Sequence, residues 1–210
     1  MQKSAIDWGV GQLWTWNVVT GCPRNCSVNG KPYCYAHRIH ERFYKTPFSD
    51  VVFHPERLFD KMPTKPSHIF VGSMSDIQYW KPEWVNEIIQ ICRDCYGHTF
   101  MFLSKNPRSY FGFNWPNNCM LGLTITHSSN LNDRALDFHT RKGMEHTFLS
   151  IEPLMGILNK CVYYGRMEKI IVGAMTGPGA IPPKLEWVQS VKDNCPADRV
   201  FWKPNIRKYL

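Results

Sequence analysis

The chain has 210 residues, enough for one substantial hydrophobic core, and this length favours a single domain over residues 1–210. Hydrophobic residues make up 43% of it and aromatic residues 14%, and no stretch approaches the roughly 18 consecutive apolar residues of a membrane span. The formal charge of +8 permits an anionic partner such as nucleic acid but does not require one, because a solvated basic surface explains it equally well.

The N-terminus carries no visible secretory signal. Residues 1–7 have neither a long apolar stretch nor a cleavage signature. We therefore expect a cytoplasmic protein. In that reducing compartment the eight cysteines should be thiols rather than disulfides.

Apolar runs that end in a small or polar residue recur along the chain and predict strands. After the first run their spacing is roughly 20 to 30 residues, which is what a strand and its crossover helix take in a parallel sheet. The predicted strands cover residues 14–20, 69–72, 99–103, 120–126, 147–151, 170–173 and 200–202.

Apolar residues at helical spacing predict helices between several of these strands. One begins near Cys34, two cover residues 82–95 and 183–194, and a weaker one covers 130–142. Residues 44–67 contain four prolines and no clear periodicity, which is typical of a long crossover. The alternation predicts an α/β fold with a buried parallel sheet, and its six to seven units predict a (β/α) TIM-like barrel, either partial or closed.

Polar residues follow almost every predicted strand. In barrels and open α/β sheets the site forms at the carboxyl ends of the strands, so we expect these residues to meet at one mouth. The segments are 20–22, 73–76, 104–106, 126–128, 152–153, 174–179 and 203–205.

Three cysteines follow the first predicted strand, in a segment that we call the cysteine loop (residues 22–34). Cys22, Cys26 and Cys34 are soft ligands, and three of them leave one corner of a four-coordinate metal site open for chemistry. Cys34 begins a predicted helix, whose partial positive charge favours a thiolate. The alternatives are three unliganded thiols, or a structural zinc site that also uses His37 or His40.

The other cysteines are expected in the core. Cys92 and Cys95 form a Cys-x2-Cys pair that could ligate zinc or carry out redox chemistry, but Cys92 continues a helical apolar stripe, which favours packing. The isolated cysteines are Cys119, Cys161 and Cys195.

Apart from residues 27–32, the cysteine loop resembles the radical S-adenosylmethionine (radical SAM) superfamily, whose pattern is Cys-x3-Cys-x-aromatic-Cys after the first strand of a partial barrel. Further segments are similar, in order and over nearly the whole chain, to a phage-associated radical-SAM-like family of unassigned function. Together with the cysteine segments they are 16–22, 34–36, 54–58, 69–76, 103–107, 149–154 and 172–180.

The resemblance implies a [4Fe-4S] cluster on Cys22, Cys26 and Cys34, with the fourth iron bound by the amino and carboxylate groups of S-adenosylmethionine. Such an enzyme cleaves S-adenosylmethionine reductively to methionine and a 5′-deoxyadenosyl radical, which abstracts a hydrogen from the substrate. It would need a reductant protein as partner and, if phage-encoded, would work in the host cytoplasm.

Phage association and the basic charge favour a nucleic acid base, a nucleotide or another anionic substrate. Two alternatives stay open. One is a zinc-stabilised module that binds nucleic acid without catalysis, and the other is a degenerate barrel that serves as a partner protein.

The resemblance also implies cofactor contacts early in the chain. Tyr33 matches the aromatic position near the adenine, unless it is a packing residue. Ser73, Ser75 and Asp76 stand where the superfamily binds the amino group of the cofactor, although Asp76 could equally cap a helix. Gly173 resembles the glycine-containing strand end near adenine, and a turn alone would also explain it.

Later strand ends supply the remaining candidates. Ser104 and Thr126 could contact ribose or carboxylate, and Lys105 could pair with the cofactor carboxylate or a substrate phosphate, or be a solvated loop lysine. Glu152 would be a costly charge unless it binds something cationic or hydroxylated. Lys203 could close the ring of polar residues or belong to the basic tail.

One segment departs from the superfamily pattern. Seven residues separate Cys26 from Cys34, where the usual motif has two. The Asn29-Gly30 pair favours a tight turn, and a turn there would return the chain so that both cysteines still reach one cluster.

Overall fold

A computed structural model describes residues 1–24, 26–28, 31–126, 145–160 and 162–210. The helix predicted at 130–142, the turn pair Asn29-Gly30, the polar residues at 127–128 and Cys161 lie outside the described residues. The cysteines within the described ranges are all thiols, as predicted. No helix in these ranges is long and apolar enough to cross a membrane.

The described residues form short strands interleaved with helices. The strands are β1 (Gln2–Lys3), β2 (Leu13–Trp16), β3 (Val19–Thr20), β4 (Ser27–Val28), β5 (Lys31–Pro32), β6 (Val52–Phe53), β7 (His68–Val71), β8 (Thr99–Ser104), β9 (Cys119–Ile125), β10 (Thr147–Ile151), β11 (Lys169–Val172) and β12 (Val200–Trp202). The α-helices are α1 (Tyr35–Phe43), α2 (Pro82–Asp94), α3 (Leu185–Asn194) and α4 (Pro204–Arg207). Short 3-10 helices include Pro55–Phe59 and Ile77–Tyr79.

Hydrogen bonds link eight strands in the order β1-β2-β7-β8-β9-β10-β11-β12. The pairs β2–β7, β7–β8, β9–β10, β10–β11 and β11–β12 are parallel, whereas β1 is antiparallel to β2. The predicted α/β class with a mostly parallel sheet is therefore confirmed. Over the described ranges the order has two ends, β1 and β12, so these strands do not form the closed version of the predicted barrel.

The chain divides into two compact units, of which unit 1 comprises residues 1–103 and 112–120. Its parallel strands are largely buried because most of their residues are apolar, with Trp16 opposite Val71 and Ile69 opposite Phe100. Helix α2 buries one face, which includes Ile88 and Cys92. This is the apolar stripe that the sequence predicts, and it makes Cys92 a packing residue.

Unit 2 comprises residues 104–111 and 121–210. Every residue of β10 is buried, as expected for a strand with parallel neighbours on both sides. Helix α3 buries Val188 and Val191, and its Ser190 hydroxyl accepts a hydrogen bond of 2.9 Å from the amide of Leu158. The strands β10 and β12 have the predicted bounds.

Two regions differ from the prediction. The first predicted strand is interrupted at Asn17, between β2 and β3. There the Asn17 side chain accepts hydrogen bonds from the Ser73 hydroxyl and the Met74 amide, at 3.0 and 3.2 Å. The predicted crossover at 44–67 contains β6, which pairs antiparallel with β3, and the 3-10 helix Pro55–Phe59.

Candidate functional site

Main-chain hydrogen bonds hold the beginning of the cysteine loop in place. The amide of Gly21 donates to the carbonyl of Met74 at 3.0 Å, and the amide of Cys22 donates to the carbonyl of Phe48 at 2.6 Å. Gly21 has a φ of 87°, and a Cβ there would overlap the carbonyl oxygen of Asp50. Only glycine fits this approach, so Gly21 sets the position at which Cys22 leaves the strand.

The residues between Cys26 and Cys34 form a hairpin. Strands β4 and β5 pair antiparallel, with Ser27 opposite Pro32, and the amide of Tyr33 donates to the carbonyl of Cys26 at 3.0 Å. The chain therefore returns to its starting point, and Cys26 lies beside Tyr33 despite the longer spacing. The return of the chain is observed, whereas the turn predicted at Asn29-Gly30 lies outside the described residues.

Cys34 sits at the start of α1, as predicted. It is the N-cap residue, with extended backbone and no side-chain capping bond, and its carbonyl accepts from the amide of Arg38 at 3.3 Å. Cys22 and Cys34 both pack, half-buried, against one small apolar cluster formed by Ala36, Phe48 and Met74. Two of the three thiols thus lie against the same surface.

Tyr33 lies close to Cys26 and Cys34. Burial raises its pKa to about 12, and the nearby thiol groups of Cys26 and Cys34, with a hydrogen bond to Cys26, raise it in the same direction. The phenol is therefore protonated at neutral pH. Its ring is half-buried against the cysteines, which combines packing with contact to the candidate ligands.

The loop that follows β7 forms hydrogen bonds with the beginning of the cysteine loop and of α1. The Ser75 hydroxyl donates to the carbonyl of Gly21 at 2.6 Å and accepts from the indole of Trp80 at 2.9 Å. Ser73 donates to Asn17, and its carbonyl accepts from the Tyr35 hydroxyl at 2.6 Å. Both serines therefore position the loop that carries Cys22, which sequence reasoning did not foresee.

Asp76 is buried and caps the 3-10 helix that follows it. Its carboxylate accepts from the amide of Gln78 at 3.2 Å, so the capping role that the sequence left open is observed. Arg24 lies near this carboxylate. Burial alone would lower the pKa of Arg24, but a hydrogen bond with Tyr79 and the charge of Asp76 outweigh it, and the pKa is raised.

Arg24 was missed by the sequence prediction. Its position inside the cysteine loop, two residues after Cys22, was the available signal. Arg24 connects the cysteine loop to the end of β7, because its guanidinium interacts electrostatically with both Asp76 and Cys26. Unit 1 thus brings together Cys22, Cys26, Tyr33, Cys34, Ser73, Ser75 and Asp76, with Arg24 added.

Cys22 and Cys34 pack against one apolar cluster and Cys26 lies beside Tyr33, but the three thiols do not form a metal-binding arrangement. Among the residues that the structure describes, no group of three or more His, Cys, Asp or Glu side chains lies close enough to hold a metal ion. The histidines of the zinc alternative have other contacts: His37 stacks on Phe48, and His40 forms a hydrogen bond of 2.8 Å with the carbonyl of Thr46. The donor set is three thiols, which is the type that iron–sulfur clusters use.

Unit 2 contains a separate polar group. The Lys203 ammonium and a Glu152 carboxylate oxygen lie 2.5 Å apart, and the Ser150 hydroxyl donates to the other oxygen at 3.1 Å. The charge of Glu152 is therefore met by Lys203, whose role the sequence left open. A Cβ on Gly173 would meet this carboxylate at 2.7 Å, so Gly173 leaves the room that the pair occupies.

Three further predicted residues lie in unit 2. The Ser104 hydroxyl accepts from the amide of Asn106 at 3.0 Å and from the Ser109 hydroxyl at 3.1 Å, which closes the turn after β8. Lys105 lies in this same turn. Thr126 follows β9, and its carbonyl accepts from the amide of Met155 at 2.8 Å. Ser104 is buried and acts in the turn itself.

The chain matches a known family model. A family model described as "Protein of unknown function (DUF5131)" matches residues 3–204, which is nearly the whole chain. No curated protein and no solved structure matches. The chain therefore belongs to the DUF5131 family, whose function is not assigned.

Proposed function

We propose that this chain is a radical SAM enzyme that holds a [4Fe-4S] cluster on Cys22, Cys26 and Cys34 and acts on a nucleic acid base, a nucleotide or another anionic substrate. The observation that carries the proposal is the hairpin, because its base sets Cys26 beside Tyr33 and Cys34. Without it, the seven-residue spacing would argue against a common ligand set.

The donor chemistry supports this reading over zinc. Three thiols without a fourth ligand leave a corner open, as a catalytic cluster requires, whereas structural zinc is held by four protein ligands. His37 and His40, which the sequence offered as a fourth ligand, contact Phe48 and Thr46. When bound, a [4Fe-4S] cluster supplies the low-potential electron with which S-adenosylmethionine is cleaved.

The residues around the thiols have roles that do not depend on the cluster. Gly21 and Ser75 fix the main chain that carries Cys22. Tyr33 packs, partly buried and with a protonated phenol, beside Cys26 and Cys34. Arg24 connects Asp76 to the loop, and these two are the charged groups beside the thiols that we assign to orienting a zwitterionic cofactor.

The proposal includes a partial barrel, which the parallel strand order and the helices between strands support. In unit 2, the pair Glu152 and Lys203 follows the ends of β10 and β12 and offers both charges to a hydroxylated or anionic ligand. We propose Glu152, Gly173, Lys105 and Thr126 as ligand contacts of that unit, whereas the buried Ser104 closes the turn after β8.

The test is anaerobic reconstitution with iron and sulfide. We expect about four iron atoms per chain, and release of 5′-deoxyadenosine from S-adenosylmethionine with dithionite as the reductant. Cys34→Ala should lose both. Cys95→Ala is the matched control, because Cys95 is a partly exposed thiol at the end of α2 and should leave both unchanged.

Three results would contradict the proposal. Stoichiometric zinc in place of iron would favour the non-catalytic zinc module. Absence of both metals and of cleavage would favour the degenerate barrel. Iron and cleavage that survive replacement of all three loop cysteines would refute the ligand assignment.

A further inference from the structure

Helix α1 exposes large side chains along one face. Tyr35, Ile39 and Phe43 are 40%, 39% and 71% exposed, and their spacing of four residues places them one above the other along the helix. Scattered exposed apolar residues are ordinary, but a row of three on a nine-residue helix is a contiguous surface. Such a surface calls for a binding partner.

The charges next to this row are basic. Arg38 and Arg42 follow Tyr35 at three and seven residues, so they lie along the neighbouring side of the helix, and the Arg42 guanidinium is 5.6 Å from the centre of the Phe43 ring. The acidic residue of the helix, Glu41, is turned about 120° from Tyr35 and lies 3.5 Å from His37. The row and its two arginines therefore form a basic aromatic surface, which we call the α1 face and which has the single carboxylate of Glu41 at its edge, three residues after Arg38.

We propose that the α1 face binds single-stranded nucleic acid. Arginines neutralise phosphates, and the exposed rings of Tyr35 and Phe43 offer flat surfaces on which unpaired bases stack, a combination that single-strand binding surfaces share. The formal charge of +8 adds long-range attraction for a polyanion. An acidic protein surface would use the arginines but has no need of the exposed aromatic rings.

The α1 face lies next to the candidate cluster ligands. Cys34 immediately precedes α1, and the Tyr35 hydroxyl bonds to the carbonyl of Ser73 beside the cysteine loop. A strand on the α1 face would thus pass beside the candidate cluster ligands. As an identification of the substrate class the inference rests on the proposed function, whereas the binding itself needs neither iron nor S-adenosylmethionine.

The test measures binding of fluorescein-labelled oligothymidylate to the iron-free full-length chain by fluorescence anisotropy over a salt series. The double variant Arg38→Gln/Arg42→Gln should lose at least about tenfold in affinity, and its salt slope should become shallower by about 1.4, since each phosphate contact to a single strand contributes about 0.7. Phe43→Ala should lose about tenfold through lost stacking.

Controls with the same chemical change lie elsewhere in unit 1. Lys61→Gln/Lys65→Gln removes the same charge from exposed positions, and Phe59→Ala removes a phenylalanine that is 87% exposed. Both should stay within about twofold of the original chain. Thermal unfolding of every variant, expected within a few degrees, verifies the fold.

Several outcomes would overturn the inference. The first is absence of binding by the original chain, and the second is equal losses in the α1 and control variants. The third is equal affinity for a duplex of the same length. The fourth is that the chain binds no oligonucleotide but forms a concentration-dependent dimer, which Phe43→Ala abolishes. Absence of oligonucleotide binding by the original chain, with intact 5′-deoxyadenosine release, would refute this inference alone. Intact binding in a chain that takes up no iron would refute the proposed function alone.

Discussion

Two groups of cysteines in unit 1 differ in what holds them. The cysteine loop is fixed mainly by bonds to its main chain: the amide of Cys22 donates to Phe48, the amide of Tyr33 donates to Cys26, and the Ser75 hydroxyl donates to the carbonyl of Gly21. The second group is fixed by burial, because Cys92 of α2 faces the core and contacts Cys119 at the beginning of β9. Its members are Cys92 and Cys119.

The two environments give the same side chain different chemistry. Burial raises the pKa of Cys92 well above its ordinary value, and a hydrogen bond to Cys119 and the charge of Cys119 add to the shift. Such a thiol is inert. The loop thiols are half-buried, and the cationic Arg24 lies near Cys26. Ligand chemistry therefore belongs to the group that is held by its backbone rather than by its side chains.

The largest expected effect is on the backbone of the cysteine loop. Gly21→Ala should reduce the free energy of unfolding by about 3 kcal/mol or more, because the left-handed backbone is strained for alanine and the new Cβ overlaps the Asp50 carbonyl. Chemical denaturation of the iron-free chain measures this change.

Gly112 provides the control for this substitution. Its φ of 85° is nearly the same as that of Gly21, but a Cβ there would meet nothing within 4 Å. Gly112→Ala should therefore cost only the backbone strain, about 1–2 kcal/mol. Equal losses in the two variants would show that the close approach at Gly21 does not fix the loop.

The sequence predicted the parallel strands well and the small strands poorly. β7 to β12 lie within about two residues of their predicted bounds, because each is a mostly apolar run ended by a polar residue. β1, β4 and β5 are two residues long, which is too short for any periodicity. The break at Asn17 depends on its side-chain bonds to the loop after β7, more than fifty residues away.

For the candidate site, residue types were predictable and partners were not. Polar residues at strand ends identified Glu152 and Asp76, but the pairing of Glu152 with Lys203 spans 51 residues and leaves no trace in local spacing. Arg24 acquires its role only when β7 ends beside the loop. Whether the chain is a single domain, as its length predicts, stays a prediction.

An intermediate effect is expected on thiol reactivity. In the iron-free folded chain, iodoacetamide should modify the half-buried Cys22, Cys26 and Cys34 at least about 100-fold faster than Cys92 and Cys119, whose modification requires opening of the core. Peptide mass spectrometry over a time course measures the rates. Reconstitution with iron should protect the loop thiols alone, and uniform rates at all five positions would remove the contrast between the groups.

The smallest effect concerns a histidine beneath the cysteine loop. His54 Nε2 and Thr20 Oγ1 form a hydrogen bond of 2.8 Å, and the His54 amide donates to the carbonyl of Val18. Burial lowers the pKa of His54 below its ordinary value, and the charge of Arg57 lowers it further, while Glu56 opposes the shift. The folded chain therefore binds this proton less readily than the unfolded chain does.

This difference makes the stability of the loop pH-dependent. Because the unfolded state takes up the proton first, the contribution of neutral His54 is present above the unfolded pKa of about 6.5 and is lost as the pH falls through that value toward the folded pKa. The loss should be small, since water screens a partly exposed group. His54→Gln keeps a partner for Thr20 and should flatten the difference in unfolding free energy between about pH 7.5 and pH 5.5, measured by urea titration. An unchanged pH slope in this variant would mean that the base of the cysteine loop, like the buried cysteine group, does not respond to protons.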